Sequence, residues 1–455
     1  MKKTLILYPF IFIIIAPVCL GFLMLTALIP REAICDNAKQ SAKYFQEAPL
    51  FEYCVGELEN FRRDNYADCI SASIAYHFGE GNVYGSVISA EFAYESKENV
   101  NDSFYRKIQG EEVETEQYSR YWHGSAGVIR LLLTVMDIQT MRYVMTAMGI
   151  ILNAGLVIVL IRKGQKVLGI IYSIAFLLVN GVFALGCLEY GFIFLLIPLT
   201  GLLLLMSPWM KKEQNAQLTF MVTGMLTAFF DFLTTETLTF TVPFVIYYIV
   251  VYRANVSVKE AGISKEKQKT WLFLLKSGLS WFAGYAGMFA CKWFLAVSLL
   301  GKEAWITTFE SVKERIGGEV STVADSVNET VTFTERIQGI FVRNLGCLYW
   351  GSNNMKITTV LVVTFIILML LSVFWYMART NSPKAGLGVL IAVSIIPYIR
   401  FLFLSNHSYI HYFFTYRAQM VTVLVILYII YDNSVLSEPV KKRNKEGISC
   451  RKKAK

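Results

Sequence analysis

The run Arg62-Arg63-Asp64-Asn65-Tyr66-Ala67-Asp68 gathers carboxylates and guanidiniums in one short stretch. On a helix Asp64 and Asp68 share a face at i,i+4, which is unfavourable as a free surface pair but useful for presenting carboxylates to a substrate or a cation. Either acid is a candidate general base. The plainer reading is a solvated helix start, with Asp64 as N-cap and Arg62 and Arg63 binding headgroup phosphates. A second cluster is Arg120-Tyr121-Trp122-His123-Gly124. Here Arg120 offers a planar clamp for phosphate, His123 a polar contact, and Gly124 room for a substrate to approach the backbone. Tyr121 and Trp122 also read as ordinary interfacial anchors.

The third cluster combines Arg400, the turn Asn406-His407-Ser408-Tyr409-Ile410-His411, and Arg417. His407 and His411 have the HxxxH spacing that binds a metal when helical, but no Glu stands between them as in HExxH. Phosphate recognition suits Arg400 and Arg417 better, because charges near span ends normally require partners. Asp231 and Glu236, in Phe230-Asp231-Phe232-Leu233-Thr234-Thr235-Glu236-Thr237, are expected at the same level as further substrate-binding acids. Glu189 and Lys292 reach that level too, Glu189 reading as a helix cap or a snorkelling side chain. Together these groups describe a polar chamber with charges of both signs, open to one side. All four histidines, His77, His123, His407 and His411, fall on that side.

The elements that must position these groups are read from composition and hydropathy. The chain has 455 residues, is 55% hydrophobic and only 17% charged, with apolar runs near the length of a membrane span. The expected fold class is all-α, a polytopic transmembrane helical bundle of about ten spans. Expected spans cover residues 4–29, 139–161, 167–188, 191–209, 217–233, 238–252, 270–300, 356–378, 386–404 and 413–431. The first is read as retained rather than cleaved, because its apolar part is longer than a signal-peptide core. The transmembrane domain is thus residues 1–432, followed by a basic, disordered cytoplasmic tail over 433–455.

With a cytoplasmic N-terminus, every inside loop is basic, including Arg162, Lys163 and Lys166, then Lys211 and Lys212, then Arg379 and Lys384. That is the positive-inside pattern. The outer segments 30–125 and 301–355 are acidic by contrast. The net charge of +9 lies in short loops and the tail, so orientation explains it and nucleic-acid binding is not expected. In the first outer segment Tyr66, Ile70, Ile74 and Phe78 recur at about four-residue spacing, which suggests a helix lying along the membrane surface. The second, with Gly317-Gly318, reads as a flap. Cys54 and Cys69 are both expected outside and could form a disulfide, although spacing alone does not fix connectivity.

The order of parts resembles the GT-C class of membrane glycosyltransferases: one span, a long outer segment with helices and acids, then many spans with a further outer loop. "RYWHG", "DFLTT" and "SNHSYIHYFFTYR" also resemble segments of bacterial multi-span proteins associated with surface polysaccharide. The resemblance implies an inverting enzyme in the bacterial plasma membrane that takes a sugar from a polyprenyl-phosphate or polyprenyl-diphosphate donor. Its acceptor would be a surface glycan or lipid, reached at the extracytoplasmic face among the membrane lipids. It implies no organic cofactor and leaves room for a divalent metal. Asp64 or Asp68 would then be the base, and Arg400 or Arg417 would hold the carrier phosphate. The chain departs from the class in lacking a paired-acid motif after the first span; Glu32 and Asp36 are isolated, and Glu57-Leu58-Glu59 competes with Asp64 and Asp68.

Other readings remain open from sequence. A lipid-linked polysaccharide polymerase or ligase would use similar arginines and histidines, and an assembly partner would need no chemistry. A flippase or lipid transporter would need charges deep in the bilayer, for which Lys276 is the main candidate. Neither GxxxxGK[ST] nor GxGxxG occurs, which argues against nucleotide-driven work.

Overall fold

The computed structural model describes residues 2–253, 263–317, 320–321, 328–329, 331–348 and 386–436. The expected span 356–378 and the tail beyond 436 lie outside the described residues. In chain order the helices are α1 (Lys2–Ala27), α2 (Cys35–Glu47), α3 (Asn65–His77), α4 (Val83–Ser89), α5 (Val100–Ile108), α6 (Gly124–Leu132), α7 (Ile138–Arg162), α8 (Lys166–Leu178), α9 (Gly181–Leu185) and α10 (Gly191–Met206). They continue with α11 (Glu213–Phe230), α12 (Leu238–Tyr247), α13 (Ile263–Leu300), α14 (Lys302–Gly317), α15 (Phe333–Leu348), α16 (Leu387–Phe403), α17 (Ser405–Ile410), α18 (Tyr412–Thr415) and α19 (Met420–Leu436).

Among the described residues four stretches are long and apolar enough to cross a membrane: Leu7–Ala27, Ile138–Arg162, Gln268–Leu300 and Tyr412–Asp432. Their outward faces carry exposed apolar side chains such as Ile13, Ile151 and Phe294, a surface suited to lipid rather than water. Four shorter apolar helices, Lys166–Leu178, Gly191–Met206, Leu238–Tyr252 and Leu387–Phe403, coincide with other expected spans. At 1.5 Å per residue they are shorter than a hydrocarbon core of about 30 Å, so among the described residues the helical bundle has four full-length candidate spans. One reason is local. The expected span 167–188 breaks at Asn180, whose φ of 52° ends α8 before α9 begins.

Two glycines set the closest helix pair. A Cβ added at Gly224 of α11 would stand 2.1 Å from the Trp281 carbonyl oxygen, and one at Gly284 of α13 would stand 2.1 Å from that of Met221. Small residues on both partners let these backbones touch.

The segment over 30–125 departs from a purely helical expectation by including two short antiparallel pairs. β1 (Phe51–Tyr53) pairs with β2 (Arg62–Asp64), placing Phe51 opposite Asp64. β3 (Glu91–Ala93) pairs with β4 (Thr115–Gln117). Arg62 and Arg63 therefore precede the helix in a strand, where they meet Glu59 at 3.2 Å and Glu52 at 3.0 Å rather than headgroups. α3 does not lie along a membrane surface: Cys69, Ala72, Ile74 and Ala75 are fully buried, and polar Asp68 and Ser73 are buried with them. The apolar spacing was real, but the helix is covered on its other faces as well. The proposed Cys54–Cys69 disulfide is absent, with Cys54 exposed and Cys69 buried in α3 beside the Val100 carbonyl.

Long-range bonds tie this segment to the apolar helices. Arg130 of α6 donates to the carbonyls of Thr26, Ile29, Ala75 and Tyr76. Trp122 is a core residue rather than an interfacial anchor: its Nε1–H donates to Met288 of α13 at 2.7 Å. Lys292 reaches back from α13 to the carbonyls of Val87 and Ile88 at 3.3 and 2.9 Å.

Candidate functional site

The segment from α3 to α6 covers one end of the helices, and beneath it lies a cavity of about 290 Å³. Its charged and polar lining comes from separate parts of the chain: Arg62 and Asp64 from β2, Arg120 and His123 from the approach to α6, and Glu189 from the turn before α10. Glu314 and Arg315 come from α14, Arg343 from α15, and Asn406, His407 and His411 from the α17 turn. Tyr66, Tyr118, Tyr412, Phe232, Phe413 and Phe414 complete aromatic walls.

Asp64 is placed by its own chemistry. As the N-cap of α3 it accepts the Ala67 backbone N–H at 2.9 Å through Oδ1, which satisfies one free amide of the first turn. Burial, reinforced by the Asp68 charge, pushes its carboxyl up to about 7, with backbone N–H groups and Arg62 pulling the other way. Such a carboxyl titrates near neutral pH, as a general base requires.

Asp68, the other candidate base, does not line the cavity. Its Oδ2 accepts from Arg142 Nη2 at 2.6 Å and Nε at 3.1 Å, while its Oδ1 accepts the Glu189 backbone N–H at 2.9 Å. These contacts use both oxygens, so its role in the structure is to join α3, α7 and the turn before α10.

The histidines are shaped by burial. His123 adopts a left-handed backbone, φ 58°, and donates Nε2–H to the Tyr118 carbonyl at 2.7 Å. Gly124 beside it is not an opening for substrate, because a Cβ there would stand 2.5 Å from the Phe229 ring. His407 donates Nε2–H to Leu233 O at 2.9 Å, and its ring lies 4.6 Å from that of His411. α17 ends at Ile410, so the pair lacks the continuous helix of an HxxxH ligand set, and the described residues hold no group of three metal-ligating side chains. Burial lowers all three cavity imidazoles: His123 to about 3 with Lys292 assisting, His411 to about 3 with Arg315 and Arg400 assisting, and His407 well below its usual value. They are neutral at physiological pH, and Nδ1 of both His123 and His411 has no hydrogen-bond partner among the described residues.

The remaining expected site residues act behind the wall. Arg400 binds Glu236 at 3.0 Å, Ser408 at 3.1 Å and the Leu233 carbonyl. Asp231 caps the same turn by accepting the Thr234 amide and hydroxyl. Arg417 is fully buried and donates to the Phe413 and Asn60 carbonyls at 2.9 and 3.1 Å. Thus Asp231, Glu236, Arg400 and Arg417 brace the cavity without lining it.

Arg315 and Arg343 line it without any signal in the sequence; Arg62 and Glu189 line it too, and their sequence context also fits a headgroup contact and a helix cap. Arg120 stacks over Tyr118 at 4.2 Å and Arg343 over Tyr409 at 4.0 Å, leaving guanidinium edges for other partners. Among the described residues no carboxylate pairs with Arg120, Arg315 or Arg343, and the buried Nε atoms of Arg62, Arg120 and Arg315 lack partners. An enclosed surplus of guanidinium donors suits an anion, phosphate in particular. Comparison of the chain with protein-family models, curated proteins and solved structures found no match.

Proposed function

We propose that this chain is a membrane glycosyltransferase that moves a sugar from a polyprenyl-phosphate-linked donor to a hydroxyl of a surface glycan or lipid. The single observation that supports this reading most directly is the meeting of Asp64 with Arg62, Arg120, Arg315 and Arg343 around one cavity. Asp64 takes the acceptor hydroxyl proton as the acceptor oxygen bonds to the anomeric carbon. The bond from that carbon to the phosphate oxygen breaks, and its electron pair stays on the phosphate. The arginines stabilise the charge gathered there, and the enclosed site holds the reactants in register. One displacement of this kind inverts the anomeric centre.

The proposed orientation puts both termini in the cytoplasm and the cavity outside a bacterial plasma membrane. The basic sequence at the helix ends opposite the cavity supports it. A lipid-linked polysaccharide polymerase or ligase would use the same base and phosphate contacts with a longer glycan. Reconstitution tests the proposal: purified protein in liposomes, given a polyprenyl-phosphate sugar and a hydroxyl acceptor, should form glycosylated acceptor, and Asp64→Asn should abolish it with folding intact. Normal product from Asp64→Asn rejects the base assignment.

A further inference from the structure

Glu189 stands in a turn with Leu185 of α9 before it and Gly191 of α10 after it, and its side chain enters the cavity from there. It is 8% exposed, its Oε2 has no hydrogen-bond partner, and no described cation forms an ion pair with it. A buried carboxyl oxygen without a partner is costly, and an unsatisfied group facing a cavity is one that a bound molecule can complete.

Its position is built rather than incidental. The Glu189 backbone N–H donates to Asp68 Oδ1, and the other oxygen of Asp68 is gripped by Arg142. Asn65 Oδ1 accepts from the same guanidinium at 2.8 Å. The main chain of Glu189 is therefore pinned from beneath by α3 and α7, while its carboxyl projects free. The cavity arginines have other neighbours: Arg62 has Glu59, Arg120 has Tyr118, and Arg343 has the carbonyl and hydroxyl of Tyr409.

The lining thus offers two kinds of contact. Guanidiniums recognise an anion, whereas a carboxyl repels one when ionised. In either protonation state a carboxyl oxygen accepts from a hydroxyl, and a buried acceptor discriminates strongly against a ligand that lacks the matching donor. The part of a glycosyl carrier that is rich in hydroxyls and bears no charge is its sugar.

We propose that Glu189 binds hydroxyl groups of the transferred sugar and so distinguishes the glycosylated carrier from the spent one. This rests on the glycosyl-transfer reading above. Asp68 and Arg142 are positioning residues for that contact.

The test uses the full chain in lipid nanodiscs, with Kd measured for a bare polyprenyl phosphate and for its hexosyl derivative. The wild type should prefer the hexosyl form. Glu189→Leu and Glu189→Ala, which remove the accepting oxygen, should weaken that form by on the order of tenfold and leave the bare lipid unchanged. A retained preference, or equal weakening of both lipids, overturns the proposal. Should the variants fail to fold, the wild type still decides: the hexosyl lipid, but not the bare one, should protect Glu189 from dicyclohexylcarbodiimide, read by peptide mass spectrometry, and equal protection by both overturns the contact. A wild type that binds both lipids alike removes the sugar contact alone. One that binds neither removes the transfer reading as well.

Discussion

Arg142 grips Asp68 through two hydrogen bonds, at 2.6 and 3.1 Å, across 74 residues of sequence. Both side chains are buried, at 6% and 0% exposure. The pair therefore belongs to the framework, and its loss should be felt in stability before it is felt in chemistry.

Asp68→Ala is expected to destabilise the protein by about 3–5 kcal/mol, because it leaves the Arg142 charge buried and unpaired. Thermal denaturation in detergent measures this. Replacing both partners with Leu and Met should recover a large part of the loss, since apolar packing often substitutes for a buried ion pair. A single Asp68→Ala variant as stable as wild type would contradict the role.

Asp64 should make both activity and stability depend on pH, in opposite senses. Its folded carboxyl is raised to about 7 by burial, with Asp68 adding and Arg62 and the Ala67 and Tyr66 amides opposing. The stability linked to its protonated form is complete below the unfolded value of about 3.9 and is lost as pH rises through about 7. Asp64→Asn should therefore raise the Tm relative to wild type more at pH 8 than at pH 4. Transfer, which needs the ionised base, should rise across the same interval. A Tm difference that is flat with pH would show that Asp64 is not the titrating group.

Gly224→Ala should cost at least the 1–3 kcal/mol typical of overpacking, because the new methyl meets the Trp281 carbonyl of α13 at 2.1 Å. Backbone cannot swing aside as a side chain can. Gly21→Ala is the matched control, with nothing within 4 Å of its added Cβ. Equal melting temperatures for the two variants would argue against a close α11–α13 contact.

Cys54 is exposed and Cys69 is buried, and neither is in a disulfide. In intact cells a membrane-impermeant maleimide should modify Cys54 and spare Cys69 until the protein is denatured. Modification of Cys54 only in inverted vesicles would place the first outer segment in the cytoplasm and overturn the proposed orientation.

The apolar helices were legible because hydropathy is a property of neighbouring residues. Segments near 139–161 and 270–300 needed no partner to announce themselves. Asp64, Arg120, His123, His407 and His411 were legible as lining because polar residues at apolar helix ends on one side must share a space. Asp68 could not be separated from Asp64 by the same means, since its partner Arg142 is distant and looks like an ordinary flank of α7. Glu236 and Arg400 are separated by 164 residues and satisfy each other, a cancellation invisible in local composition. Arg315 and Arg343 lie in a polar segment, where an arginine ordinarily reads as solvated. Glu189 gave one signal, an acid in a tight turn between apolar helices at the level of the chamber, and a helix cap or a snorkelling side chain gives the same signal.

Lys292 and Trp293 on α13 supply bonds to Ile88 and Arg120, 204 and 173 residues earlier in the chain. While the ribosome is still making the middle of the protein, the segment over 30–125 has no partners for those carbonyls. Its architecture closes only when α13 arrives, so a chain halted before that helix should remain open to proteases and chaperones.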